Sequence, residues 1–466
     1  MSFGIGQRGV LVAMAAALTV VGWPTPATSQ GARCLGQQPT ITGTNTSETI
    51  TGTDGDDVIA ALGGDDVING LAGNDRICGD AGIDTIDAGE GNDGINGGEG
   101  ADVISFASSG AGVRVDLFAG EATGQGSDRL FGLERVWGSP RNDELRGDEG
   151  RNELRGEAGN DALLADAGFD VLSGGTGDDV FEGGSDNDVA TFATAPGAVD
   201  IDLGAGTGTG EGADNFAGVE AVVGSEHNDV IEGDERDNYL FGRGGNDEIV
   251  GAGGYDYAVF WFAPNGVDAD LADGTAKGEG NDSLAGISGL VGSPFDDVLT
   301  GDPAANYLDG GDGGNDVLVG ADGDDLFVGR GGEDTYDGGA GGFDRIDFRA
   351  AGPIEVDLRD RIATGEGTDA LNGIEGVGGT KSADVLNGDG ATNYLVGRGG
   401  RDEINAFEGD DFLNGGPGSD RGNGGPGKDA CKSFERGKPA CERKTDTPEH
   451  PLQKSVDTTE SYRRNF

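Results

Sequence analysis

Between Gly52 and Ser105 an aspartate recurs every nine residues: Asp57, Asp66, Asp75, Asp84, Asp93 and Asp102. Two residues before each stands a glycine (Gly55, Gly64, Gly73, Gly82, Gly91, Gly100), and two residues after each an isoleucine (Ile59, Ile68, Ile77, Ile86, Ile95, Ile104). A carboxylate beside a glycine-rich turn is hard-oxygen chemistry. Calcium takes roughly six to eight oxygen ligands at about 2.3–2.6 Å, and glycine tolerates the positive φ that aims backbone carbonyls into a shared space. Turns stacked at the strand spacing of about 4.8 Å would bring like carboxylates together, and these repel unless a cation lies between them.

The pattern returns in four further runs. Residues 138–191 carry Asp143, Asp161, Asp170, Asp179 and Asp188; residues 224–259 carry Asp229, Asp247 and Asp256. Residues 292–347 carry Asp297, Asp316, Asp325, Asp334 and Asp344, with single-residue insertions before Asp316 and Asp344; residues 379–432 carry Asp384, Asp402, Asp411, Asp420 and Asp429. These aspartates and those of the first run are the candidate metal ligands. The second unit of every later run has asparagine at the same position (Asn152, Asn238, Asn306, Asn393), which removes one negative charge there.

The elements that position them read as β throughout. Each spacer opens on a phenylalanine (Phe106, Phe192, Phe260, Phe348) and continues into an alternating segment ending in Asp-Leu, from Val113, Val199, Val267 and Ile354. A Gly-x-Asp turn follows, with Asp128, Asp214, Asp282 and Asp369, and three spacers then carry a strand-like segment around Glu134, Glu220 and Glu375. Alternation bounded by turn residues predicts strands, and no helical periodicity of useful length is present. Runs two, three and four start at Gly138, Gly224 and Gly292, so the two intervals differ by 18 residues, or two nonapeptides. A solenoid with two nonapeptides per turn keeps its register through such a change.

The unit G-G-x-G-x-D-x-U-x resembles the calcium-binding repeat of the RTX, or hemolysin-type calcium-binding, family. That resemblance implies an all-β fold, a right-handed parallel β-roll solenoid with β-rich spacers. It also implies multiple Ca2+ ions held between stacked turns by the sixth-position aspartates and neighbouring carbonyls. The sites would be bracketed by pairs one solenoid turn apart, such as Asp57/Asp75, Asp66/Asp84, Asp75/Asp93 and Asp84/Asp102.

Composition bounds the function. With 86 acidic against 31 basic residues, the formal net charge of the 466-residue chain is −55; this argues against nucleic acid and for cations. Arg8 followed by the apolar Val10–Gly22 reads as a secretory leader, too short for a comfortable membrane span. Four cysteines suit an oxidising compartment. Their positions near the two ends of the array predict Cys34–Cys78 and Cys431–Cys441 pairs; no C-x-x-C supports zinc or redox chemistry. The expected organisation is a signal peptide (1–29), an N-terminal cap with the first run (30–105), four spacer-plus-run units (106–191, 192–259, 260–347, and 348–441 with a C-terminal cap) and a disordered tail (442–466).

Catalysis finds no support. There are two histidines, His227 and His450, and neither an H-E-x-x-H, a G-x-S-x-G nor a P-loop. Trp137 and Trp261 lie in or beside spacers, where core packing is expected over a role as sugar platforms. The leading expectation is a secreted, structural calcium-binding repeat protein that folds on binding calcium outside the cell. The alternative is a calcium-rigidified adhesion module for a cell-surface or extracellular-matrix ligand. A calcium-dependent polysaccharide-modifying enzyme ranks behind both.

Overall fold

The computed structural model describes residues 33–349, 352–365 and 367–434. The expected leader (1–29), Cys441 and the tail (442–466) lie outside the described residues. The described chain is all β: 46 strands, most of three residues, and no helix. They form two sheets, one of 27 strands (sheet I) and one of nineteen (sheet II).

Successive nonapeptides alternate between the sheets, so each strand pairs in parallel with the strand two units on. In sheet I, Ile59 is in register with Ile77 and Ile77 with Ile95. In sheet II, Ile50, Ile68, Ile86 and Ile104 form the matching row. The period-two pleat turns the middle residue of each strand inward. The two rows meet as one core running the length of the roll, from Ile50 through Leu145, Leu154, Ile231, Leu240, Leu299 and Leu308 to Leu413 and Cys431. The expected parallel β-roll with two nonapeptides per turn is therefore present.

The spacers treat the two sheets differently. In the first, Arg114–Asp116 pairs in parallel with Glu144–Arg146 of the following run. The chain then returns antiparallel through Glu121–Thr123 to Ser127–Phe131, which rejoins the previous run at Gly94–Asn96. Sheet I thus gains two strands beyond the regular repeat. In sheet II, Arg135–Trp137 bridges Val103–Ser105 and Glu153–Arg155 with no extra strand. The other three spacers repeat this weave. Phe106, Phe192, Phe260 and Phe348 are buried in the widened core. Space there is tight: a Cβ on Gly208 would sit 2.8 Å from the Phe216 ring.

A second apolar row was not expected. On sheet II the residues flanking the core position are also buried, including Tyr239, Phe241, Tyr257, Val259, Tyr307 and Val328. Tyr239 and Tyr257 stack at 4.4 Å between centroids. Trp137 departs from its expected core role. It is half-buried on the outer side of sheet II, with the Arg155 guanidinium 5.4 Å from its ring centroid. Trp261 packs at the edge of the second row, 5.5 Å from Phe241.

At the N-terminal end Cys34 and Cys78 form the expected disulfide. The expected Cys431–Cys441 pair involves a residue outside the described set.

Replacing Ile77 by Ala should cost about 2–5 kcal/mol, the usual range for emptying a fully buried aliphatic site. Because solenoid coupling is mainly between neighbouring repeats, hydrogen exchange should show the loss in the first run while amides around Leu386 and Leu413 keep their protection.

Candidate metal centres

The sixth-position aspartates form a ladder along each side of the roll. The N–H of Asp57 donates to Oδ1 of Asp75 at 2.8 Å, and Asp75 in turn to Asp93 at 2.7 Å. On the opposite side Asp66 donates to Asp84 and Asp84 to Asp102, both at 2.8 Å. The later runs repeat the contact in Asp143→Asp161→Asp179, Asp170→Asp188, Asp229→Asp247, Asp316→Asp334, Asp384→Asp402→Asp420 and Asp411→Asp429. The insertions in run four do not break it: Asp297→Asp316 and Asp325→Asp344 are both 2.9 Å. Asn152, Asn238, Asn306 and Asn393 take the same place and donate to Asp170, Asp256, Asp325 and Asp411.

The ladder also runs through the spacers, which the repeat pattern alone does not reveal. Asp128, Asp214, Asp282 and Asp369 accept the N–H of Asp93, Asp179, Asp247 and Asp334. Glu134, Glu220 and Glu375 accept that of Asp102, Asp188 and Asp344. The signal was present in the Gly-x-Asp turns and glutamate strands, but at offsets of 35 and 31–32 residues instead of 18. The third spacer lacks the glutamate; Ser288 donates its N–H to the Asp256 carbonyl there.

Oδ1 is thus engaged by the preceding turn, and Oδ2 is the informative atom. In Asp66, Asp75, Asp84, Asp93, Asp102, Asp161, Asp170, Asp179, Asp188, Asp214, Asp247, Asp256, Asp325, Asp402, Asp411 and Asp420 it is buried and receives no hydrogen bond. Glycine at the first position of most units, with Ala61, Ala88, Ala165 and Ala406 the exceptions, leaves little bulk beside it. A Cβ on Gly70 would lie 2.9 Å from Asp75 Oδ2, one on Gly97 2.6 Å from Asp102 Oδ2, and one on Gly251 2.6 Å from Asp256 Oδ2.

The first aspartate of each run differs. Oδ2 of Asp57, Asp143, Asp229, Asp297 and Asp384 accepts the N–H of Thr53, Ser139, Ser225, Ser293 and Thr380, at 2.5–2.7 Å. Each of those residues also donates its hydroxyl to the same carboxylate. These aspartates cap their own turns. Asp334 Oδ2 takes the Tyr336 hydroxyl at 3.0 Å.

An anionic oxygen buried without a donor is costly, and its electrostatic surroundings raise the pKa of many of these groups. Burial, followed by the stacked carboxylates of neighbouring rungs, pushes Asp84 up to about 6 and Asp93 and Asp161 to about 7. Burial with Asp170 and Glu220 nearby takes Asp188 to about 8, and burial with Asp334 and Asp297 takes Asp316 to about 8. A proton or a cation relieves each of them. No cluster of three His, Cys, Asp or Glu side chains occurs among the described residues, so any cation here depends on paired carboxylates and backbone carbonyls. Among the described residues no helix is long and apolar enough to cross a membrane.

No curated protein matches the chain. Among solved structures, the extracellular lipase LipA from Serratia marcescens is similar at 16% identity over 52% of this chain and 37% of that chain, with a TM-score of 0.14. The chain therefore spans little more than a third of the length of that lipase. The family model for the RTX calcium-binding nonapeptide repeat matches residues 42–104, 137–190, 223–258, 290–342 and 379–430 in overlapping copies, more than half of the sequence. The chain belongs to the RTX calcium-binding nonapeptide repeat family.

Proposed function

We propose that this chain is an exported, non-catalytic structural protein whose β-roll forms as its turns take up many calcium ions. The row of buried Oδ2 atoms without donors carries this reading. Calcium is a hard cation that accepts irregular sets of carboxylate and carbonyl oxygens. The ligands would be the sixth-position aspartates with open oxygens, namely Asp66 to Asp102 in the first run, Asp161 to Asp188, Asp247, Asp256, Asp325, and Asp402 to Asp420, together with carbonyls of adjacent turns. Asp214 joins them from the spacer. The first aspartate of each run, already capping its own turn, contributes less. Export is supported by the apolar Val10–Gly22 behind Arg8 and by the Cys34–Cys78 disulfide.

Energetics favour metal-linked folding. Without cations, the stacked carboxylates repel and 95 glycines lose conformational freedom on ordering. A site whose free calcium exceeds its dissociation constant tenfold contributes about 1.4 kcal/mol to the folded state, and the array multiplies that contribution. In chelator the mature chain should be largely unfolded. At millimolar calcium, β signal in circular dichroism should rise cooperatively, with magnesium a poor substitute because it prefers strict octahedral geometry. Full β content in chelator would refute the proposal.

Asp75 and Asp84 each stand between two rungs, so Asp75→Ala with Asp84→Ala should disturb the whole first run. The calcium midpoint for amides of residues 57–104 should move up several-fold, while residues 384–429 titrate as in the parent. Equal midpoints for both regions in the double variant would show that these carboxylates do not bind the ion.

Acid should partly replace calcium. Burial raises the pKa of ladder aspartates such as Asp84, Asp93, Asp161 and Asp188 in the metal-free fold, so that fold binds more protons than the unfolded chain. The stabilisation is complete below the ordinary aspartate range near 4 and is lost as pH rises through about 6–8. In chelator, lowering the pH from 8 to 5 should increase β content, and the calcium midpoint measured at pH 6 should be higher than at pH 8. A calcium midpoint independent of pH across that window would count against buried aspartates as ligands.

A further inference from the structure

The spacers repeat one pair of carboxylates, and in one copy the chain supplies the cation between them. Beside the second spacer Glu220 and Asp234 share the guanidinium of Arg236. Arg236 donates to Glu220 Oε1, and to Asp234 Oδ2 at 2.7 and 2.9 Å. The first spacer builds the same frame. Glu134 Oε2 accepts the Asp102 N–H at 2.9 Å, as Glu220 Oε2 accepts that of Asp188 at 3.0 Å. The N–H of Asp148 donates to Asn152 Oδ1 and that of Asp234 to Asn238 Oδ1, both at 2.7 Å. Only the arginine is missing, since Gly150 stands at the position of Arg236. Glu134 Oε1 and Asp148 Oδ2 match the two oxygens that hold Arg236. They receive no hydrogen bond, and neither residue has an ion pair among the described residues. Around them lies a pocket of about 310 Å3 walled by Leu117, Phe118, Phe131, Leu133, Glu134 and Asp148. Phe118 and Phe131 are 63% and 49% exposed. The other spacers have Gly204 and Ala217, Ala272 and Ala285, and Arg359 and Asn372 at these positions. The fourth repeats the carboxylate pair as Glu375 and Asp389, and the third has Ser288 for the glutamate. Open carboxylates and aromatic walls therefore coincide in the first spacer.

We propose that this pocket binds an arginine side chain of a partner polypeptide, in the place that Arg236 fills beside the second spacer. A guanidinium is a fork of fixed donors that reaches two carboxylates at once, which the point charge of an ammonium does less well. Phe118 and Phe131 border the pocket with aromatic surface suited to a guanidinium and with apolar contact for its aliphatic stem. Arg146 lies 5.9 Å from the Phe118 centroid, but its charge is matched by Asp166 at 2.6 Å and leaves the Glu134–Asp148 pair uncompensated. Calcium, which takes roughly six to eight oxygens, would find two open carboxylate oxygens here among walls of leucine and phenylalanine. A free amino acid would bring its own α-carboxylate into the field of a chain of net charge −55, whereas an arginine within a polypeptide brings none. The same field draws basic segments toward the roll.

The test is isothermal titration of the full chain, in calcium at which its β signal is complete and at about 0.15 M salt, which screens exposed charges beyond about 8 Å. The probes are end-capped glycine tripeptides with arginine, lysine or citrulline at the centre. The arginine peptide should bind, the lysine peptide several-fold more weakly, and the uncharged citrulline isostere at least tenfold more weakly. Glu134→Gln with Asp148→Asn should lower the affinity at least tenfold, and Phe118→Ala with Phe131→Ala several-fold, with the circular dichroism of each variant unchanged. Gly150→Arg supplies the internal guanidinium of the second spacer and should abolish binding. A Cβ there would meet only Asp148 Oδ1, at 3.2 Å. This variant keeps both carboxylates and the ladder, so it decides the matter even where the carboxylate variant fails to fold. Equal binding of the arginine peptide and either analogue, or undiminished binding by Gly150→Arg or by the folded carboxylate variant, would overturn the assignment. So would self-association of the free chain that Gly150→Arg abolishes, which would give the pocket to a second copy, and so would absence of binding at millimolar peptide.

Discussion

Everything in this molecule depends on like charges held at strand spacing. Hydrogen bonding in a parallel sheet sets the distance between successive rungs, and the nonapeptide repeat places an aspartate at the same point of every turn. Sheet and ladder are therefore one constraint. The bond from each Asp N–H to the next Oδ1 orients the carboxylate and leaves Oδ2 buried with nothing to accept. What stabilises the sheet also creates the electrostatic problem at its edge, which a proton or a cation would answer.

The caps at the start of each run fit that picture. Thr53, Ser139, Ser225, Ser293 and Thr380 supply an N–H and a hydroxyl to the first aspartate. There the carboxylate is satisfied by protein alone. Farther into the run that second-position residue is in the left-handed region, as at Leu62, Leu71 and Asp80 with φ between 70° and 80°. The turn takes a different shape, and Oδ2 is left open. A run thus begins on ordinary turn chemistry and continues on stacked turns whose carboxylates look to a cation.

Much of this was legible in the sequence because the repeat is strict. The period of nine, the 18-residue difference between run spacings and the aliphatic eighth position together led to the two-sheet roll and to the inward rows of Ile59, Ile77 and Ile95 and of Ile68, Ile86 and Ile104. Three things were not legible. Asp128 and Glu134 join the ladder at unfamiliar offsets, since the antiparallel excursion of the spacer changes the count without changing the position in space. The second apolar row was written in Tyr239-Leu240-Phe241 and Tyr257-Ala258-Val259, where both neighbours of the core position are large or aliphatic; a one-residue-per-unit reading of the core passes over it. Trp137 looked like core because it is a tryptophan in a spacer, but its place beside Val136 puts it on the opposite side of the strand.

The unequal weave of the spacers has a consequence for form. Sheet I has 27 strands and sheet II nineteen, although tight turns join them rung by rung. At about 4.8 Å per strand, the eight additional strands make one wall roughly 38 Å longer than the other. Two walls joined along their length cannot differ so much and stay straight. A wall lengthened only at the spacers would take the convex side of an arc, with the bend at the four spacers. The nonapeptide runs are then straight segments and the spacers their joints, so the number and placing of spacers set the curvature as the number of repeats sets the length. Sheet II, with its second apolar row, would then lie along the inside of the bow.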